Sequence, residues 1–431
     1  MGQAENQAPM QVDPRHFAQA VTQLGERRTV VAHSAIFNTQ GLKVLDKGVA
    51  IDAKLYERLS RQQLRVPLAE CVDCEPTVAP ASLREDAMAM LANEPVLWAM
   101  LLDGRERDIL LTEVSLIPLP RAVAFQLALA KDAHPELWTH SLRAMLLAGW
   151  LALRGGAARH DVRMLAAGGL VHDLGMLHID PVLLQPELAL TRDQRRQLYT
   201  HPLVAGMLLE RHHDYPAELV RAVLEHHERV DGSGYPRALR GDALSPWGCV
   251  LSLAEVAAAM LAPERAAGVQ RLSLILRVNR GRFDGELVRE LMQKLPAPAD
   301  APPLPDGDAL RTLQDVGALL GTFGEDRGDG PSIDAARRER WPAMLAACEQ
   351  ARRALARAGA SPEHLDALAG DPPDAQLSQE LQLLAGEAVW QLRSVSRRIR
   401  RLWSLQPEEA APDWLQSWLD ACDRCAEAAL G

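Results

Sequence analysis

His226-His227-Glu228-Arg229-Val230-Asp231-Gly232-Ser233-Gly234-Tyr235-Pro236 is the stretch on which the reading of this chain turns. Two adjacent imidazoles and a carboxylate lead into a turn whose glycines let the backbone fold tightly beside a ligand, and Pro236 stiffens its exit. Tyr235 offers a ring to stack and a hydroxyl to hydrogen-bond. Upstream stand the pair His172-Asp173 and the single His201, and ten of the thirteen histidines fall between His134 and His227. Histidine and aspartate hold Fe, Mn or Zn while leaving a position open for water. Packing does not account for such crowding; a metal centre does.

Adjacent His172 and Asp173 near a helix end can address two metals, because the carboxylate can bridge while the imidazole binds one ion. His201, His226 and His227 would complete the ligand set. Two metals about 3.5–4 Å apart lower the pKa of a bridging water and clamp the attacking and leaving oxygens of an in-line phosphoryl displacement. Phosphodiester hydrolysis is therefore the expected chemistry. A single His-Asp pair would be read only as a satisfied helix terminus.

The 431 residues, 48% of them hydrophobic, suffice for a substantial core and two or three domains. A formal net charge of −10 argues against a nucleic-acid polymer as partner, since that needs a basic face. A small anionic ligand remains compatible if metals supply the positive charge. Met1 to Gln11 shows no basic segment followed by an apolar one, and the longest apolar run, Ala144 to Leu153, is too short to cross a bilayer. A cytoplasmic location is the expectation. Cys71-Val72-Asp73-Cys74 and Cys422-Asp423-Arg424-Cys425 would make a zinc site if they met, but Cys422 and Cys425 lie one helical turn apart, where small side chains pack.

Ala35-Ile36-Phe37 and Leu42-Lys43-Val44-Leu45 flank a turn at Asn38-Thr39-Gln40-Gly41, which predicts a hairpin, and Asp52 can cap a helix running to Leu64. Residues 1–118 are thus expected to form a small β-containing domain. From Leu119 to Leu295 apolar residues recur at helical spacing over Arg121–Lys131, Trp138–Leu153, Val162–His172, Arg192–Leu209 and Ala217–His227. The five prolines between Pro296 and Pro305 and the glycines from Gly321 predict a linker over 296–332, followed by a helical bundle over 333–431. The fold class is mainly α. Arg393, Arg397, Arg398, Arg400 and Arg401 form a basic helix face, either solvated or suited to an acidic protein partner.

His172-Asp173-Leu174-Gly175, His201-Pro202 with Gly206, and His226 through Pro236 resemble the HD-GYP subfamily of HD-domain phosphohydrolases, over about residues 119–295. The resemblance implies a helical domain that binds two or three Fe or Mn ions and hydrolyses cyclic di-GMP to pGpG or GMP. It implies metal ligation by His172, Asp173, His201, His226 and His227. His140 matches an upstream family histidine, and Glu136 one turn before it resembles the extra ligand set of trinuclear members. Gly234, Tyr235, Pro236 and Arg237 are the substrate-binding candidates.

The chain departs from that family at three positions. Met176 stands where members carry lysine, Glu255 where they carry a ligand aspartate, and Ala258 where they carry that motif's second aspartate. Glu255 could still bind a metal. Losing a cation beside the developing phosphoryl charge commonly costs about 10²–10³ in rate, and His178 is the candidate to replace it as a catalytic donor. Besides the hydrolase, two other functions fit: a cyclic di-GMP sensor that binds without turnover, and a hydrolase of another phosphorylated nucleotide.

Overall fold

The computed structural model describes residues 14–101, 103–184, 191–263, 267–296, 308–324, 335–368, 375–403 and 411–428. Among them the elements run α1 (Pro14–Gly25), β1 (Val30–Ala32), β2 (Ile36–Phe37), β3 (Lys43–Leu45), α2 (Tyr56–Ser60), β4 (Val72–Cys74), α3 (Pro80–Asn93), α4 (Pro95–Met100) and α5 (Gly104–Val114). Then follow α6 (Arg121–Ala133), α7 (Pro135–Arg154), α8 (Arg159–Val171), α9 (Arg192–Leu198), α10 (His201–Leu209), α11 (Ala217–Glu225), α12 (Pro246–Met260), α13 (Gly268–Val278) and α14 (Gly285–Lys294). The chain continues through α15 (Ala309–Thr322), α16 (Ala335–Arg357), α17 (Pro362–Leu368), α18 (Ala375–Trp403) and α19 (Asp413–Ala428). The fold is mainly α. No helix among the described residues is long and apolar enough to cross a membrane.

Two compact units result. The first comprises Met1–Arg265 and Gly281–Pro296, the second Ala266–Arg280 and Ala297–Gly431. In the first, the expected hairpin pairs Ile36 with Leu45 and Phe37 with Lys43, while β1 pairs antiparallel with β4. Strand β4 falls inside the CxxC motif Cys71-Val72-Asp73-Cys74, from which no strand is predicted, and it buries Val72 and Cys74 on its inner side. Asp52 accepts from the Lys54 amide at 3.0 Å, as a cap should, but the helix it opens ends at Ser60 and not at Leu64.

Helices α7 and α8 form the centre of this unit. Leu142, Met145, Leu146 and Trp150 of α7 and Val162, Leu165 and Val171 of α8 are buried. Gly169 permits their close approach, because a Cβ there would come 2.5 Å from the Ala144 carbonyl oxygen. This contact sets the height at which His172 leaves the end of α8.

The single helix expected over Arg192–Leu209 is two helices, α9 and α10, broken at Tyr199-Thr200. Pro202 explains the break. It has no amide proton, and in a continuous helix its ring would clash with the Leu198 carbonyl four residues earlier. That carbonyl instead faces the His201 ring, at 2.8 Å from Nδ1.

In the second unit α13, α15, α16, α18 and α19 share a core that contains Leu274, Val278, Leu313, Met344, Leu392 and Leu415. Helix α15 corrects the expected linker over 296–332, since residues 309–322 are helical and bury Leu313, Val316 and Leu320. The remaining parts of that linker, 297–307 and 325–332, lie outside the described residues. Arg393 donates to the Ala426 carbonyl at 3.1 Å and Arg400 pairs with Asp423 at 2.6 Å, so part of the basic face of α18 is used to hold α19.

Candidate metal centre

Three histidines reach one point from three helix ends. His172 follows α8, His201 opens α10 and His226 follows α11. In each, Nδ1 lies against the carbonyl three residues earlier: Gly169 at 2.8 Å, Leu198 at 2.8 Å and Val223 at 2.6 Å. A carbonyl only accepts, which assigns the proton to Nδ1 and leaves the Nε2 lone pair free. Metal-ligating histidines are oriented in the same way.

The free nitrogens converge on Asp173. Its Oδ1 is 3.3 Å from His201 Nε2 and 3.6 Å from His226 Nε2, and its Oδ2 is 3.3 Å from His172 Nε2 and 3.9 Å from His140 Nε2. Two sets of side chains can therefore hold a metal: Asp173 with His201, His226 and His227, and Asp173 with His140 and His172. Asp173 is common to both and would be the carboxylate that two ions share. His201 Nε2 and His226 Nε2 face each other at 3.2 Å, which brings two lone pairs together when both rings carry their proton on Nδ1. His172 Nε2 and Asp173 Oδ1 are buried without a hydrogen-bond partner. Unpaired buried acceptors are costly, and a cation removes the cost. The donor set of imidazoles and a carboxylate fits a divalent metal ion.

Electrostatics acts unevenly on these side chains. Burial disfavours the charged carboxyl of Asp173, yet the His172, His201 and His226 rings around it outweigh this and hold it well below the usual carboxylate range. Burial pushes the His226 ring down to about 3 and lowers His227 as well, so both are neutral. At His172 burial is outweighed by the Asp173 charge, and its pKa is raised.

The 226–236 segment folds around its own acidic residues. Glu228, fully buried, accepts from the Arg237 amide at 2.6 Å and the Leu239 amide at 3.0 Å, closing the loop. Gly234 packs where a Cβ would lie 2.5 Å from the His227 carbonyl and the Arg229 amide. Tyr235 stacks on His227 at a centroid distance of 4.6 Å, the Tyr235-Pro236 peptide is cis, and the exposed Arg237 reaches Glu225 at 3.4 Å. The loop thus carries Gly234, Tyr235 and Pro236, and Arg237 follows at its exit.

Other expected residues stand apart. Glu255 joins neither set: its Oε2 is 4.0 Å from His227 Nδ1 and 3.8 Å from Arg229 Nη2, and the guanidinium competes for the carboxylate. Glu136 is exposed on the first turn of α7 and is in neither set, whereas His140 belongs with His172 and Asp173. His178, the expected catalytic donor, lies flat on Phe17 of α1 with centroids 4.4 Å apart and has Nε2 3.4 Å from Gln126 Oε1. Met176 is half-buried. No cysteine takes part in either set among the described residues.

Sequence reasoning missed three contributors. Arg229 donates to Ser252 Oγ at 2.7 Å and Ser252 to the Glu228 carbonyl at 2.9 Å, a clamp formed across 23 residues. Arg143, one turn after His140, is held by both carboxylate oxygens of Glu94, at 2.7 and 2.8 Å. Tyr199 stacks on Tyr235. Pro202, which breaks the helix beside Tyr199, was the one local signal for any of them.

Residues 125–287 match the family described as HD domain. The chain is 33% identical over 153 residues to a cyclic di-GMP phosphodiesterase response regulator of Xanthomonas campestris, covering 34% of this chain and 40% of that protein. It is 28% identical over 180 residues to 3′3′-cGAMP-specific phosphodiesterase 1 of Vibrio cholerae, covering 38% of this chain and 40% of the relative. A cyclic di-GMP phosphodiesterase of Thermotoga maritima is 30% identical over 128 residues, 29% of this chain and 34% of its own length. The chain thus spans about 40% or less of these relatives. Among solved structures, an HDG"Y"P protein from Bdellovibrio bacteriovorus aligns at 14% identity with a TM-score of 0.35, over 63% of this chain and 97% of that one.

Proposed function

We propose, from the premise that residues 125–287 of this chain are an HD domain, that the protein is a cytoplasmic metal-dependent phosphodiesterase that hydrolyses cyclic di-GMP to pGpG or GMP. The observation that carries this reading is the pair of ligand sets sharing Asp173. His201, His226 and His227 would hold one Fe or Mn ion, His140 and His172 the other, with Asp173 between them. When bound, the metals supply Lewis acidity to water and to the phosphodiester.

The chain's own residues do the rest. The carbonyls of Gly169, Leu198 and Val223 orient the three imidazoles toward Asp173. Glu228 holds the loop closed at the Arg237 and Leu239 amides, and that closure sets Tyr235 beside His227. Arg237, with 45% of its side chain exposed, has the freedom to meet a phosphate.

Met176 favours a second reading, a sensor of the same ligand, because a thioether can neither donate a proton nor offset phosphoryl charge. One experiment separates them. The full chain, loaded anaerobically with Fe or Mn, is incubated with cyclic di-GMP and, in parallel, 3′3′-cGAMP, and products are resolved by chromatography. Linear products support the enzyme, saturable binding without turnover supports the sensor, and neither binding nor turnover rejects both.

A further inference from the structure

The break between α9 and α10 leaves Tyr199 two residues before the ligand His201. Its ring stacks on Tyr235 with centroids 4.1 Å apart and planes 18° apart, and Tyr235 stacks in turn on His227 at 4.6 Å and 26°. Two rings nearly parallel to a third, each at contact distance, cannot share one six-membered face. Tyr235 is therefore sandwiched. His201 borders the stack edge-on, 4.9 Å from His227 at 88° and 6.3 Å from Tyr235 at 78°.

The sandwich alters what Tyr235 can do. With both faces occupied by protein rings it cannot stack a nucleobase, and its hydroxyl edge is what it has left to offer. Aromatic contacts of this kind stabilise beyond simple burial and favour one orientation of a half-exposed ring. The last ring of the stack comes from outside the 226–236 loop.

We propose that Tyr199 is a positioning residue: it clamps Tyr235 against His227 and so fixes the orientation of that imidazole in the ligand set. The proposal rests on the metal-centre reading, and it makes the α9–α10 junction the source of both a ligand, His201, and the ring that holds another ligand in place. Phenylalanine preserves such a stack, whereas leucine removes the planar face.

The test uses the full chain and two readouts, metal retention against a competing chelator, and kcat and KM for cyclic di-GMP. Tyr199→Leu is expected to weaken metal retention and lower kcat by about tenfold or more, the range seen when residues that orient ligands are lost. Tyr199→Phe is expected to recover most of both. Because Tyr199 acts through Tyr235, adding Tyr199→Leu to Tyr235→Leu should cost less than about twofold further. Tyr199→Met, an unbranched side chain without a ring, serves if leucine disturbs folding. Parental metal retention in the ring-less variant, or a full additional loss in the Tyr235→Leu background, would overturn the proposal. Retention is measured without substrate, so a chain that binds metal but hydrolyses nothing counts against the phosphodiesterase reading and not against Tyr199.

Discussion

Asp173 is the side chain on which the centre depends most, because each of its oxygens faces a different pair of histidines. Asp173→Ala is expected to drop bound metal below about half an ion per chain and abolish turnover, with helical content nearly unchanged. Elemental analysis and circular dichroism check the two halves; a variant that keeps its metal would remove Asp173 from the bridge. Met176 tests the chemistry and not the binding. A cation beside the transferring phosphoryl group counts for more in the transition state than in the ground state, so Met176→Lys is expected to raise kcat by about tenfold or more at equal metal occupancy. Unchanged or lower turnover would show that the missing lysine does not limit the rate.

Between elements, several contacts tie the segment before residue 119 to the histidine-rich helices, the Glu113–Arg163 pair at 2.8 Å among them, and two others make predictions. Glu94, at the start of α4, holds Arg143 of α7 one turn from His140, and both side chains are under 10% exposed. Arg143 also donates to the Ala258 carbonyl of α12 at 3.4 Å. Removing one partner of a buried pair strands the other charge, so Glu94→Ala is expected to cost about 3–5 kcal/mol in urea unfolding. A loss below about 1 kcal/mol would mean that the pair is solvated in solution. The second contact is Phe17 on His178, where burial holds the imidazole down to about 4. A free histidine titrates near about 6.5. The unfolded chain therefore takes up a proton below that pH while the folded one does not, and stability falls from about pH 6.5 toward about pH 4. His178→Phe keeps a stacking ring without the titration, so its melting temperature should fall less than the parent's between pH 7 and about pH 4.5; equal falls would assign the acid sensitivity elsewhere.

At the scale of the whole chain, packing and sequence divide at different places. The prolines after Leu295 predict a boundary there, yet residues 266–280 belong to the second compact unit while residues 281–296 return to the first. Leu274 and Val278 of α13 are buried in the core that α16 and α18 build. A fragment ending at Pro296 is expected to expose them, bind a hydrophobic dye and precipitate more readily than the full chain. A monodisperse fragment with parental metal content would show that α13 does not need that core. The sequence by itself pointed to the side chains that cluster: His172-Asp173, His201 and the 226–236 loop are local signals for a group able to hold a metal, since helix ends, glycine turns and the chemistry of imidazole and carboxylate are written within a few residues of each other. The hairpin and the helical class were legible for the same reason, through turn chemistry and periodicity. Tertiary structure decided what depends on partners far along the chain: that Glu255 faces Arg229, that His178 packs on Phe17, that Glu94 holds Arg143 across 49 residues, and that Tyr199 closes a stack of rings on Tyr235. Such contacts leave no trace in periodicity or spacing, because each side chain's role is set by whichever element packing brings beside it.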